Sequence, residues 1–255
     1  MRRVSLYDVW DADMGRRIED ATLWRVCCGG QRVVELGCGD GRVLRLAYGP
    51  GVKKPAFWCG IDLDPRFGVR CGVTADSLGV PHAEVNGNFV DPLVWAVARK
   101  FGPFDVAVCA FSTLFLVPHE QQIEAVRLAT SALAPGGRFI AEVFVPEFLT
   151  SSSRVHFGRV NPLDEVVETE RARAERAAWV RSTRYEVNAG RKITRALRRY
   201  EPPGDVSDTR AVEIEETIYW DRPDDLAARL SATGFSVRVD TDIAPRGFAA
   251  IVVEV

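Results

Sequence analysis

Apolar residues in this 255-residue chain follow two rhythms. Up to about residue 145, short apolar runs (Val33-Val34, Phe57-Trp58-Cys59, Phe104 to Thr113, Arg138 to Val145) are separated by segments of helical spacing or by glycine and proline. Such runs predict buried strands, and the segments between them predict helices. From Pro146 to Trp220 charge rises and strict alternation takes over. Trp179, Arg181, Thr183, Tyr185 and Val187 fall on one face of a strand, and Asn188-Ala189-Gly190 predicts a hairpin turn. Arg191 to Tyr200 returns, and Val212, Ile214, Glu216, Ile218 and Trp220 alternate again. These segments predict a small antiparallel sheet inserted before the last helix, with its Arg and Glu residues paired across strands on a solvated face. Asp221 to Gly234 has the spacing of a capped amphipathic helix, and Phe235–Thr241 with Phe248–Val255 predicts a terminal hairpin.

Ahead of the first strand, Leu6, Val9, Trp10, Ala21, Leu23, Trp24 and Val26 predict one or two helices that end at Gly29-Gly30. The expected organisation is a helical cap over residues 1–30, a core of 31–145 and 221–255, and an antiparallel β insertion over 146–220. Tyr7 and Trp10 have two uses open to them, helix packing or contact with a substrate.

Charge narrows the function. With 33 Lys and Arg against 35 Asp and Glu, the net charge of −2 gives no field to gather nucleic acid or an anionic membrane. No run approaches the ~20 apolar residues of a membrane span, and Met1-Arg2-Arg3-Val4-Ser5-Leu6 turns polar before a signal-peptide core forms. A cytoplasmic protein is expected. The six cysteines (Cys27, Cys28, Cys38, Cys59, Cys71 and Cys109) make no C-x-x-C pair and predict buried free thiols. With His82, His119 and His156 the only histidines, no metal site is expected.

The chemistry gathers around Val33-Val34-Glu35-Leu36-Gly37-Cys38-Gly39-Asp40-Gly41-Arg42. A strand ends in an acid, passes through three alternating glycines and opens into a helix. Glycine lets backbone approach a ligand closely, so the loop is expected to line a pocket with N–H groups and to aim a helix N-terminus at an anion. The spacing is E-x-G-x-G-x-G rather than the G-x-G-x-x-G of dinucleotide sites. It resembles motif I of the class I S-adenosylmethionine (SAM) dependent methyltransferases. That resemblance implies a Rossmann-like α/β fold: a seven-stranded sheet with helices on both faces and the last strand inserted antiparallel. It further implies SAM as cofactor, S-adenosylhomocysteine as product, and Glu35, Gly37, Cys38 and Gly39 as cofactor-binding residues.

Later stretches keep the register. Phe57 to Pro65 reads as a second apolar strand ending in acids; by register with the family's second-strand pattern, the resemblance implies Asp62 as ribose ligand and Leu63 as the residue against adenine, with Asp64 capping the helix begun by Pro65. Gly87-Asn88 stands where the family usually has Gly-Asp; an Asn carbonyl can accept the same hydrogen bond, Asp91 is a second candidate, and Phe89 is expected at the cofactor. Phe104 to Thr113 is the expected fourth strand, and the resemblance implies Ala110 as a cofactor-binding residue. Ala110-Phe111-Ser112-Thr113 stands in place of the Asn/Asp-Pro-Pro-aromatic motif of enzymes that methylate bases in DNA, which argues against a nucleic-acid acceptor. Ala134-Pro135-Gly136-Gly137 is the family's turn into the fifth strand.

Residues 104–113, Glu142 to Thr150, the early Tyr7-Asp8 and the antiparallel insertion resemble the aminosugar N-methyltransferases of antibiotic biosynthesis. The resemblance implies a small-molecule acceptor, with an amine of a secondary metabolite preferred over the α-amine of a peptide or a hydroxyl. Binding without turnover, as a sensor or partner subunit, is the reading of a different class. His119, with Tyr7, is the candidate for acid–base work. Trp10, Phe111 and Phe115 are candidate acceptor walls, and the inserted sheet is equally a candidate homodimer surface. His156 is a weaker base candidate.

Overall fold

The computed structural model describes residues 20–146, 155–160, 179–201 and 212–255. The chain divides into two compact units: residues 19–146 with 219–255, and residues 1–18 with 147–218.

The larger unit is a seven-stranded sheet. Its strands are β1 (Arg32–Leu36), β2 (Phe57–Asp62), β3 (His82–Asn86), β4 (Phe104–Cys109), β5 (Leu133–Phe144), β10 (Ser236–Asp240) and β11 (Phe248–Glu254), the numbers between belonging to the second unit. The spatial order is β10-β11-β5-β4-β1-β2-β3. β1 to β5 run parallel, while β11 lies antiparallel between β5 and β10. The expected sheet and its inserted last strand are therefore present. The Pro-Gly-Gly segment differs: β5 already starts at Leu133, and Pro135-Gly136-Gly137 forms an irregularity inside it, with Gly136 at φ 78° and a register shift against β4.

Helices α1 (Ala21–Cys28), α2 (Arg42–Ala47), α3 (Pro65–Leu78), α4 (Pro92–Ala98), α5 (His119–Thr130) and α6 (Pro223–Ser231) accompany the sheet. Asp64 and Asp91 cap α3 and α4 by accepting from the N–H groups of Arg66 and Leu93, each with proline at the first helical position. One face of the sheet packs Val33, Trp58, Val106, Val108, Ile140 and Val252 against Trp24, Cys28, Leu44 and Cys71. Alternate strand positions, including Val34, Leu36, Ala107, Phe139 and Val253, point to the opposite face and are equally buried, so the strands read as continuous apolar runs. All six cysteines are free and buried. Trp24, Trp58 and Trp95 are fully buried, and each sends its indole N–H to a polar partner: Asp20, the Glu35 carboxylate and the Phe89 carbonyl.

The smaller unit holds a four-stranded antiparallel sheet of β6 (Val155–Val160), β7 (Trp179–Asn188), β8 (Ile193–Glu201) and β9 (Val212–Tyr219), whose final residue belongs to the larger unit. Asn188 closes the β7–β8 turn by accepting from the Arg191 N–H. On β8, Thr194, Ala196, Arg198 and Tyr200 are buried and the residues between them exposed. The exposed face carries the expected pairs, Arg195 with Glu215 at 2.5 Å and Arg199 with Glu213 at 2.8 Å. Arg198 departs from that expectation: it is buried and paired with Glu216. No helix among the described residues is long and apolar enough to cross a membrane.

Candidate functional site

The carboxyl ends of β1, β2 and β4 meet where the strand order reverses, because β1 has β2 on one side and β4 on the other. In open α/β sheets the crevice at such a point is where ligands bind. The glycine loop fills it. Gly37, Gly39 and Gly41 have φ of 70°, 52° and 83°, all left-handed. A Cβ on Gly37 would sit 2.5 Å from the Thr113 methyl and one on Gly41 3.0 Å from Thr74, whereas nothing lies within 4 Å of the corresponding position on Gly39. Two glycines therefore serve packing, and the middle one leaves open space.

The N–H groups of Gly37, Cys38, Gly39 and Gly41 are all bonded within the protein. Gly37 and Cys38 both donate to the Ile61 carbonyl, at 2.8 and 3.1 Å, and Gly39 donates to Asp62 Oδ2 at 2.9 Å. The expected anion cradle is thus replaced by a loop sewn to the end of β2, and α2 behind it is only six residues long. Asp62 accepts again through Oδ1 from the Asp64 N–H at 3.0 Å. It is half-buried, and burial pushes its carboxyl above the usual range against the pull of these donors. Each oxygen keeps a lone pair for a further donor.

Leu63, next to it, is 71% exposed, an apolar side chain held in the open. Asn86 fixes that segment by donating to the carbonyls of Asp62 and Leu63, both at 3.0 Å. Gly87 N–H also reaches the Asp62 carbonyl, at 2.9 Å. Asn88 is half-buried, and its side-chain oxygen accepts from the Val90 N–H at 3.2 Å. Phe89 is buried at 9% exposure. Asp91 is occupied in capping α4. A groove of about 370 Å³ between α3 and β3 shares Asp62 and Asn86 with this region but none of the glycines of the loop.

Glu35 lies under the loop. It is 1% exposed, bonded to Trp58 Nε1 at 3.1 Å, and burial holds its carboxyl well above the usual carboxylate range. Cys38 points inward as well, its sulfur 2.7 Å from where a Gly60 Cβ would stand. Both support the loop from inside the sheet.

Across the crevice, β4 stops at Cys109, short of the expected Thr113, because Phe111 and Ser112 turn away in the left-handed region at φ 56° and 57°. Two consecutive non-glycine residues in the left-handed region cost on the order of 1–3 kcal/mol each, so neighbours must hold them. Glu142 and Phe144 of β5 do so. Phe111 N–H donates to Glu142 Oε2 at 2.9 Å, Ser112 N–H donates to the Glu142 carbonyl at 2.9 Å, and Phe144 N–H donates to Ser112 Oγ at 2.9 Å.

No protein-family model matches the chain, and no curated protein matches it. Solved structures do. A SAM-dependent methyltransferase from Clostridium acetobutylicum ATCC 824 superposes with a TM-score of 0.71 at 10% identity, over 97% of this chain and 96% of its own. KedS8, described as a sugar N-methyltransferase from Streptoalloteichus sp. ATCC 53650, gives 0.69 at 17% identity, over 100% of this chain and 94% of its own. The CcbJ methyltransferase from Streptomyces caelestis gives 0.66 at 20% identity, over 98% and 96%. This is the fold of the SAM-dependent methyltransferases.

Within that methyltransferase fold, the expected cofactor residues Gly37, Gly39, Asp62, Leu63, Asn88, Phe89 and Ala110 gather at the carboxyl ends of β1 to β4. The acceptor candidates are less united. Phe111 is half-buried with the Arg42 guanidinium 5.7 Å from its ring centroid. Phe115 is fully buried, edge-on to Phe144 at 5.2 Å, and so backs the turn rather than walling open space. His119 begins α5, with Nε2 3.2 Å from the Trp220 carbonyl and its ring against Tyr219. A carbonyl only accepts, so Nε2 carries the hydrogen and Nδ1 is the nitrogen left to take a proton. Tyr7 and Trp10 lie outside the described residues, as does the side chain of His156.

Two residues escaped sequence reasoning. Asp20 is 1% exposed and holds Arg42 at 2.5 and 2.8 Å while accepting from Trp24. Nothing in the sequence marks Asp20. Glu142 carried a usable signal, a lone acid in the apolar run Phe139-Ile140-Ala141-Glu142-Val143-Phe144.

Proposed function

We propose that this chain is a SAM-dependent methyltransferase acting on a small molecule, an amine of a secondary metabolite. The observation that carries this reading is a loop of three left-handed glycines at the switch point of the sheet, its middle member Gly39 bonded to the Asp62 carboxylate. The residues suit the cofactor: an open position at Gly39, a carboxylate with spare lone pairs at Asp62, and an exposed apolar side chain at Leu63. In this assignment Asp62 accepts from the ribose hydroxyls, Leu63 and Phe89 cover the adenine, and Asn88 meets its edge. Bound SAM supplies a methyl group already carried by a good leaving group, a sulfonium.

The chain's remaining task is alignment and exclusion of water. Gly37 and Ala110 bound the crevice on its two sides, and the Phe111 turn closes its β4 side. A neutral amine attacks once its proton is gone, so a modest base suffices. His119, through Nδ1, and Tyr7 are assigned to that proton, and Trp10 and Phe111 to the acceptor walls. Support for an amine comes from KedS8, described as acting on a sugar nitrogen. A peptide α-amine or a hydroxyl is the alternative acceptor. Calorimetry with S-adenosylhomocysteine tests the core of the reading: binding is expected, and no heat at millimolar ligand overturns it. Mass spectrometry of amino-sugar probes incubated with SAM then tests the acceptor class.

A further inference from the structure

Glu142 is at once the fastener of the Phe111–Ser112 turn and the least satisfied acid of the described core. It has no solvent exposure, Oε2 is held by the Phe111 N–H, and Oε1 is buried without a hydrogen-bond partner. An acid whose only task was to pin a turn would be expected to have both oxygens satisfied, since a buried polar atom left unpaired is destabilising. Its surroundings supply one charged pair. Asp20, ahead of α1, and Arg42, opening α2, both act on it electrostatically, and they are bonded to each other. From β4 the nearby titratable group is the Cys109 thiol, which burial keeps protonated, and the β11 residue in register is the uncharged Ala250. Glu142 is thus a group able to change charge near neutrality, burial pushing its carboxyl up to about 7.

We propose that Glu142 is a positioning residue for the methyl-transfer site: its ionised carboxylate sets the left-handed Phe111–Ser112 turn, and through that turn the cofactor pocket. The mechanical path is short. Ionisation makes the Phe111 N–H bond charge-assisted and therefore stronger. That bond fixes Phe111, whose ring faces Arg42, and the same turn leads into Thr113, whose methyl packs against Gly37 of the glycine loop. Protonation weakens the hold on Phe111, the first of the two strained residues, so the pocket is set as pH rises through neutrality. This inference rests on the proposal that SAM occupies the crevice between Gly37 and Ala110.

The test uses the full chain, S-adenosylhomocysteine as probe, and two variants. In the wild type, affinity measured by calorimetry is expected to tighten about threefold or more between pH 6 and pH 8, and the Phe111 amide to gain protection in hydrogen exchange over the same interval. Glu142→Gln keeps the shape and an acceptor for Phe111 but cannot ionise, so both pH dependences flatten. Glu142→Ala loses protection at Phe111 at every pH. Equal pH dependence in wild type and Glu142→Gln overturns the proposal, as does unchanged Phe111 protection in Glu142→Ala. Glu142→Gln, being isosteric, decides the matter if the alanine variant does not fold. A wild type that binds no S-adenosylhomocysteine refutes the methyltransferase reading instead, while the amide exchange still reports on the clamp.

Discussion

The two sides of the crevice solve one problem with opposite results. On the β2 side Asp62 ends a strand and ties down the neighbouring loop, with each oxygen accepting from a backbone N–H. On the β5 side Glu142 near a strand end ties down the neighbouring turn, but only one oxygen is met. Asp62 is half open to solvent and Glu142 is sealed, so the unmet oxygen lies where water does not compensate it. The β2 side is therefore pre-organised and satisfied, and the β5 side is held under tension. Perturbed buried acids of this kind gather at functional sites more than in inert cores. A stability measurement separates the two sides.

The largest effect is expected at the loop. Gly37→Ala brings a left-handed alanine into the Thr113 methyl and should lower unfolding free energy by about 3 kcal/mol. Gly39→Ala carries only the conformational penalty, about 1 kcal/mol, yet it fills the open position and should weaken S-adenosylhomocysteine binding at least as much as Gly37→Ala does. Thermal melts and calorimetry on the pair check this, and equal loss of stability would remove the distinction between packing glycine and open glycine.

Glu142 is expected to follow in size. Burial raises its carboxyl to about 7, so the folded chain keeps a proton that the unfolded chain has already released above the ordinary range near 4.5. Stability then falls as pH rises from that range to about 7 and is level above it. Glu142→Gln should accordingly raise unfolding free energy at pH 8 by up to about 3 kcal/mol and leave it near wild type at pH 4.5. A variant no more stable at pH 8 would place Glu142 among the satisfied acids.

Asp62→Ala should weaken S-adenosylhomocysteine binding by about 1.5–3 kcal/mol, the loss of hydrogen bonds to a charged group. Unchanged affinity would mean the ribose lies elsewhere. The smallest effect is expected in the inserted sheet, where Glu215→Gln removes an exposed partner of Arg195. Melting temperature should not move measurably, because solvent screens such pairs.

Local patterns made the cofactor half of this fold legible. The runs around Val33, Trp58 and Val106, the glycine triplet and the Asp-Pro caps each act within a few residues, and local chemistry dictates them. The same holds for alternation in the inserted strands. What sequence order could not convey was direction and partnership. The Gly37 and Gly39 N–H groups face Ile61 and Asp62, not a ligand, because the loop folds back along a strand about two dozen residues away. The tasks of Phe115 and His119 depend on Phe144 and Trp220, and that of Glu142 on Phe111, contacts across long sequence separations.

The sequence by itself determined the strand and helix content of the core, the place of the glycine loop and the helix-capping Asp64, since propensity, periodicity and capping are local. Only the tertiary structure decided that Asp20 holds Arg42, that Arg198 turns inward, and that Glu142 is buried with one oxygen unmet. Burial and hydrogen-bond satisfaction are set by whatever the fold brings alongside, and no run of adjacent residues records it.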